Sequence, residues 1–577
     1  MDLLSFCSRR LPVRRPRARG RTRRLPSRAV LAIGLTLPSP FAAGLLAQAV
    51  SGVGDDAIPI MKGSVRYGVS GVWSQFGSVY APDATGHNRR RPLLASLEAS
   101  TFGVRAMPQL GAAEQAIRAL AQRTDFTLSL GALEADGIVR QTVVPFTIDV
   151  GITRRLSVGI VVPYVESKQS TQLVLNRNGS GANVGQNPAY STAAGAAARS
   201  SNAQLLRQIT LARTQLGAEI VRCAGSSATG CDAIKSGATA AQELLVRAVT
   251  TQSALSTVYG DSLRGGSPVV PISGSATQLS INAAIASLRN AFERFGVTSI
   301  SPASLPAPAT IVAGPGSLPS IAGDSAYGLS YTELGGKRRA GIGDVDLVAS
   351  VLLWDTFNAD QRKRLQNRGR GLRSVIAGGW RFGSAGGDRV DDPFDVPIGD
   401  GANALLLRST TDILVNRRFW LSASARLVKP LADNVATAVP LLTDSTTFAA
   451  FRPTTGRRSL GQQVELEVAP RFVLGDFFGI SGAVLYRRRS EDRLTLDGIT
   501  SVAAPATITT NSTRSFRAVS FGFTYSSLSS YARGRSRYPV EVRFVHVEPI
   551  GGTGGLSPAV STDRLEFRLF TGFPKGE

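Results

Sequence analysis

Few residues in this chain could do chemistry. Asp344 and Asp346 alternate in GIGDVDLVASVLLWD, residues 341–355, so a strand would set both carboxylates on one face. Such a pair could share a proton or hold a cation. Inside a barrel it is expected instead to pair with inward Arg such as Arg66, Arg564 or Arg568. A hydrolase would need a nucleophile and a base, and there is no G-x-S-x-G, H-E-x-x-H or P-loop pattern. His87 and His546 are the only histidines. His546 shares a strand face with Val540, Val542 and Phe544, which reads as an interfacial side chain rather than a serine's base. GSAGG at 383–387 has no helical pattern after it, so it is a turn and not a phosphate cradle. No catalytic residue, cofactor or metal site is expected.

Cys223 and Cys231 stand in CAGSSATGC. A metal site would want more ligands than the two histidines can add, so the expectation is a disulfide, formed in an oxidising compartment, that clasps a turn between helices.

That compartment is implied by the first 49 residues. Residues 1–28 carry ten Arg and one Asp, and AVLAIGLTLPSPFAAGLLAQA follows, ending in Ala47-Gln48-Ala49. A basic region, an apolar run and a small-residue site describe an export signal, residues 1–49. The full chain has a formal charge of +24, and about +15 remains after such a cleavage. The remaining Arg is scattered rather than gathered on a recognisable nucleic-acid module. Its partners are expected to be outer-membrane lipid and lipopolysaccharide phosphates, not nucleic acid.

The elements that would position the charged residues are strands. In VPFTIDVGITRRLSVGIVVPYVES, residues 144–167, Val144, Phe146, Ile148 and Val150 alternate with Pro145, Thr147 and Asp149; Leu156, Val158, Ile160 and Val162 then alternate with Ser157 and Gly159. Residues 63–80, 342–355, 514–526 and 563–573 repeat the pattern, and together with the hairpin they place Arg66, Asp149, Asp344, Asp346, Glu566 and Arg568 on the polar face. Weaker segments lie near 92–103, 126–135, 372–385, 402–415, 418–430, 462–473, 477–490 and 538–549. No mature segment has the run of ~18 or more apolar residues that a membrane helix needs, whereas alternating segments of ~10 residues between turns mark a transmembrane barrel. Tight turns at 152–155, 415–418 and 474–476 against long connections at 431–461 and 491–513 fit short periplasmic turns and long outer loops. Aromatics at segment ends, namely Trp73, Phe76, Tyr80, Tyr164, Trp354, Phe357, Trp420 and Tyr486, are expected to form interface girdles. The expected fold is therefore an all-β antiparallel transmembrane barrel of about 14 strands (12–16).

Two regions have helical periodicity. Residues 104–123 place Leu110, Ala113, Ile117 and Leu120 on one side, and a 14-strand trace makes them periplasmic or a plug in the lumen. Residues 171–335 are expected to be an outer insertion between the fifth and sixth strands. A first helix carries Leu205, Ile209, Ala212, Leu216 and Ile220 after cap-competent Ser200-Ser201-Asn202. A second runs from about Asp232 to Tyr259, and a third near 279–295 precedes a Pro-rich linker at 301–319. N-terminal barrel strands then occupy 50–170 and C-terminal ones 336–577.

The hairpin at 144–167 and the Gly-Asp-containing segment GIGDVDLVASVLLWD resemble outer-membrane proteins of the meta-pathway phenol-degradation type, which belong broadly with the long-chain fatty acid transporter class of barrels. The aromatic Phe573 resembles the terminal signal read by the barrel-assembly machinery. The resemblance implies a barrel in the cell outer membrane, reached after export through the inner membrane, that passes hydrophobic molecules.

Three functions are open at this stage: a transporter or gated channel for small molecules, hydrophobic ones among them; a structural or adhesive surface barrel whose helical insertion binds a partner; and a secreted soluble β-protein. The mixed charge of the polar face favours an occluded passage over a general porin.

Overall fold

The structure is a computed structural model. It describes Ala57 and residues 60–572 apart from 84, 96, 179–180, 191–194, 226–228, 261–265, 316, 328–335, 357–369, 387–395, 417, 441–450, 497–506, 510–511 and 555–556. The export signal, Phe357 and Phe573 lie outside the described residues.

Twelve antiparallel strands close into a barrel. They are β1 (Val65–Phe76), β2 (Leu133–Gly151), β3 (Leu156–Leu175), β4 (Lys337–Ile342 and Val345–Asp355, broken at Gly343-Asp344), β5 (Gly371–Phe382), β6 (Ala404–Leu414), β7 (Phe419–Pro430), β8 (Gln463–Leu474), β9 (Phe478–Arg489), β10 (Arg514–Ser526), β11 (Val540–Thr553) and β12 (Ser561–Thr571). Each pairs with the next in sequence, and β12 pairs back to β1 through Val69↔Phe567. One further short strand, Gly314–Pro315, pairs with the tip of β3.

Twelve is the lower bound of the sequence expectation, not its centre. The two extra segments, 92–103 and 126–135, add no strand of their own to the barrel; the last three residues of the second begin β2. The first is largely a set of turns, joined to the second by isolated bridges, Ala99↔Leu133 and Gly103↔Ser129. Leu93, Leu94, Leu97, Phe102, Phe126 and Leu128 are buried in a core shared with helices, so their apolar spacing serves that core and not a lipid face.

Removing two strands also moves the helices. Helix α1 (Gly111–Ala121) falls in the β1–β2 connection, at the same end as the insertion between β3 and β4, so the insertion joins the third strand to the fourth. With α1 the insertion helices α2 (Ala196–Cys223), α3 (Ala238–Tyr259) and α4 (Ala276–Glu293) share one apolar core, in which Ile117, Ile209, Leu244 and Ile285 are buried. Helix α1 is therefore neither periplasmic nor a lumen plug. Helix α2 starts at Ala196, so Ser200, Ser201 and Asn202 lie within it; buried Asn202 donates from Nδ2 to the Tyr259 carbonyl. Helix α4 begins at Ser275, whose hydroxyl accepts from the Gln278 amide. The subdomain rests on β2 and β3, which at 19 and 20 residues outrun the ~9–11 that cross a bilayer. Leu133, Ala135, Val139, Leu173 and Leu175 on these arms belong to its core.

Candidate functional site

Period-two alternation divides every strand between two environments. The outward side carries large apolar side chains around the whole barrel: Phe146 is 53% exposed, Val484 60% and Phe521 50%, with Ile148, Ile160, Leu407, Val468 and Leu565 also exposed. No monomeric soluble protein leaves a continuous belt of that kind in water. It is the lipid face of a membrane barrel. Tyr67, Trp73, Tyr164 and Trp354 extend the outward face, whereas Phe76, Tyr80 and Trp420 are buried and take no part in a girdle. His546 points outward and bonds Asp563 through Nδ1 at 2.8 Å.

The inward side is a wall of buried ion pairs. Arg66 donates from Nε and Nη2 to one oxygen of Asp149 at 3.0 and 2.9 Å. Gly159 makes room for that carboxylate, since a Cβ there would collide with Asp149 Oδ1. Arg381 grips Asp346 with two bonds of 2.7 Å. Glu465 receives Arg426 and, at 2.7 Å, Arg487, and Arg426 also reaches Glu467 at 3.2 Å. Arg564 and Arg568 flank Glu566 at 3.1 and 2.9 Å. Planar guanidinium groups suit this work because each can donate to two carboxylate oxygens.

Of the residues singled out from sequence, Arg66, Asp149, Asp346, Glu566 and Arg568 all line one lumenal chamber. Asp346, however, pairs with Arg381 on the neighbouring strand rather than with Arg66, Arg564 or Arg568. The Arg66–Asp149, Asp346–Arg381 and Arg426–Glu465 bonds run along the wall between adjacent strands, not across the lumen as expected. Asp344 sits at the break in β4 and accepts from the amides of Ala385 and Asp400. The sequence reading missed Arg381, Arg408, Arg426, Glu465 and Arg487. Alternation could have found Glu465 and Glu467, which interleave with Val464, Leu466 and Val468.

The chamber has a volume of about 160 Å³, comparable with the ~150 Å³ cavity that accommodates a benzene molecule. Val161, Val348, Leu406 and Val428 form an apolar part of its wall, and the ion pairs form the rest. Residues outside the barrel strands pack into it from both ends. On the outer side, described residues of the β5–β6 connection pack inward: Ile398 and Ala385 lie against Val72, Val143 and Val165 of β1, β2 and β3, and buried Ser167 donates to the Pro397 carbonyl. On the other side the segment before β1 turns into the mouth. The Ala57 amide donates to Asp412 Oδ2 at 2.9 Å, while Ile60 and Met61 pack on Leu528, Ala532 and Phe570. Asp412 is fully buried and also accepts from Arg373 at 2.8 Å and from the Ser422 hydroxyl at 2.7 Å.

Asp400 anchors the outer closure. Burial pushes its carboxyl up, but the guanidinium groups of Arg489, Arg381, Arg458 and Arg514 outweigh burial and hold it below the usual carboxylate range. Among the described residues no group of three or more His, Cys, Asp or Glu is placed to hold a metal ion. In the outer subdomain Cys223 and Cys231 are brought to disulfide distance, with Cα atoms 5.4 Å apart.

No family model matches the chain, and no curated protein does. Solved structures do. The chain is similar to an outer membrane channel from Pseudomonas putida F1, at 8% identity over 89% of this chain and 97% of that one, with a TM-score of 0.36. It is also similar to a deletion mutant of TodX, a monoaromatic hydrocarbon channel, at 10% identity over 90% and 92% with a TM-score of 0.27. A Pseudomonas aeruginosa FadL homologue matches at 9% identity over 88% of both chains with a TM-score of 0.21. Overlays this loose leave function to be argued from the chamber itself.

Proposed function

We propose that the chain is an outer-membrane barrel that transports small molecules, hydrophobic ones among them, through a gated lumen. The observation that carries this reading is the chamber: partly apolar, partly charged, and flanked at both ends by residues that are not in barrel strands. A structural barrel has no need of a vacant chamber, and a general porin would leave the passage open. A solute enters when residues 396–402 withdraw and leaves when Ala57, Ile60 and Met61 move aside. Outward Arg and the apolar belt would meet lipid and lipopolysaccharide, and the assembly machinery would insert the barrel.

Planar-bilayer recording of the purified protein tests this. Little steady conductance is expected from the wild type, with rare openings that increase when either closure is disrupted. A large, steady, non-selective conductance would sink the gated reading. No conductance together with no uptake of any hydrophobic probe would favour the adhesive alternative, for which the exposed Val221, Val246 and Leu279 on the outer helices speak.

A further inference from the structure

Near the inward-packed residues of the β5–β6 connection the wall holds a cation two of whose buried donors meet no partner among the described residues. Arg489 and Arg514 stand directly opposite each other on β9 and β10, and both are buried, at 3% and 4% exposure. Like charges placed directly across a strand pair destabilise it, and a buried guanidinium normally finds acceptors. Arg514 does not: its Nε and Nη2 meet no hydrogen-bond partner. The nearby acids are already engaged. Asp346 holds Arg381, Asp433 holds Arg458 at 2.6 Å, and Glu465 holds Arg487. Asp492 accepts from the Gly461 amide at 2.7 Å and from Arg489 at 3.3 Å. That leaves Asp400, carried on the inward-folded connection, and its contact to Arg489 is loose, at 3.6 Å.

We propose that Arg489 and Arg514 form a binding site for a small oxyanion, a carboxylate or a phosphate, and that Asp400 is its tethered stand-in. A free oxyanion that pairs with both guanidinium groups competes with Asp400, and winning that competition releases residues 396–402 from the wall. Two guanidinium groups on adjacent strands can offer parallel N–H donors to the two or three oxygens of such a ligand. The bonds that Asp400 does not supply are the ones the ligand makes. The site can be measured in protein that conducts nothing, so it can fail separately from the transport reading.

The competition fixes the sign of the test. Calorimetric titration of the full mature protein in detergent would use inorganic phosphate and benzoate as separate probes, on the wild type and on Asp400→Asn. Asp400→Asn should bind at least one probe, at least tenfold more tightly than the wild type. Adding Arg514→Gln should abolish the gain, and Arg514→Lys should retain part of it. Hydrogen exchange at the Asp400 amide of the wild type should quicken when the probe is bound. Binding of phosphate alone assigns the site to a free inorganic anion; binding of benzoate, with or without phosphate, assigns it to the carboxylate end of an organic solute. If Asp400→Asn binds neither probe, binds no more tightly than the wild type, or binds equally with Arg514→Gln, the site does not exist. If the probe binds and exchange at Asp400 is unchanged, the competition is refuted.

Discussion

Removing the Asp412 carboxylate separates the two jobs that the structure gives it. Asp412 and Arg373 are both fully buried and 2.8 Å apart, and taking one partner from a buried pair typically costs about 3–5 kcal/mol. Asp412→Ala should therefore lower barrel stability by about that much. The same substitution takes the acceptor from the Ala57 amide. A hydrogen bond to a charged group contributes about 1.5–3 kcal/mol, and each 1.36 kcal/mol is a factor of ten, so the inner closure should open roughly ten- to hundredfold more often. Ile60→Asp supplies the contrast. It breaks the apolar contact with Leu528, Ala532 and Phe570 and leaves the wall pair intact. Heat-modifiable migration against urea reads stability, and bilayer recording reads opening. Asp412→Ala should change both, Ile60→Asp mainly the second. If neither raises the opening frequency while Asp412→Ala still loses stability, the segment around Ala57 is packing and not a gate.

Arg at Ile160, whose side chain faces lipid, should cost roughly 2–4 kcal/mol of barrel stability, while Arg at lumen-facing Ser157 should cost less; the reverse order by urea titration would turn the barrel inside out. Thiol labelling of unreduced, unfolded protein should find neither Cys223 nor Cys231 free, and reduction should cost the outer subdomain about 2–3 kcal/mol in the chain-entropy estimate for so short a loop. Because its folded pKa is depressed, Asp400 stabilises the outer closure at neutral pH, and that contribution fades only as pH falls through the depressed value, below the ordinary ~3.9. Hydrogen exchange at 396–402 should thus stay slow at pH 5 in the wild type and be faster, with no acid step of this origin, in Asp400→Asn; fast exchange already at pH 5 in the wild type would refute the arginine cage.

The barrel was legible because a wall between lipid and lumen imposes period two on every strand, and ten residues suffice to show it. The false strands at 92–103 and 126–135 came from the same rule meeting a different core: Leu94 and Phe126 are spaced to pack on helices, and periodicity carries no label for what it faces. The lumen charges were half legible. Arg487-Arg488-Arg489 reads as one basic run, yet a strand sends Arg487 and Arg489 inward and leaves Arg488 exposed. What no pattern revealed was the pairing of Asp346 with Arg381, which depends on strand register, and the inward packing of Ala385 and Ile398, whose Gly-, Asp- and Pro-rich surroundings resemble any outer loop.

The outer subdomain also bears on how the barrel is built. The β3–β4 seam joins strands separated by about 160 residues, and closing a loop of that length in place of a four-residue turn costs about 3 kcal/mol more. The insertion returns to its point of departure, with Val174 and Leu175 at the end of β3 paired to Pro315 and Gly314. Once the helices have folded, only some twenty residues remain between that pairing and Lys337, and about 2 kcal/mol of the extra cost is gone. The subdomain can thus serve as an assembly jig: if its helices consolidate first they present the two edges of the seam to each other, and a chain whose helices form late should stall as an open sheet.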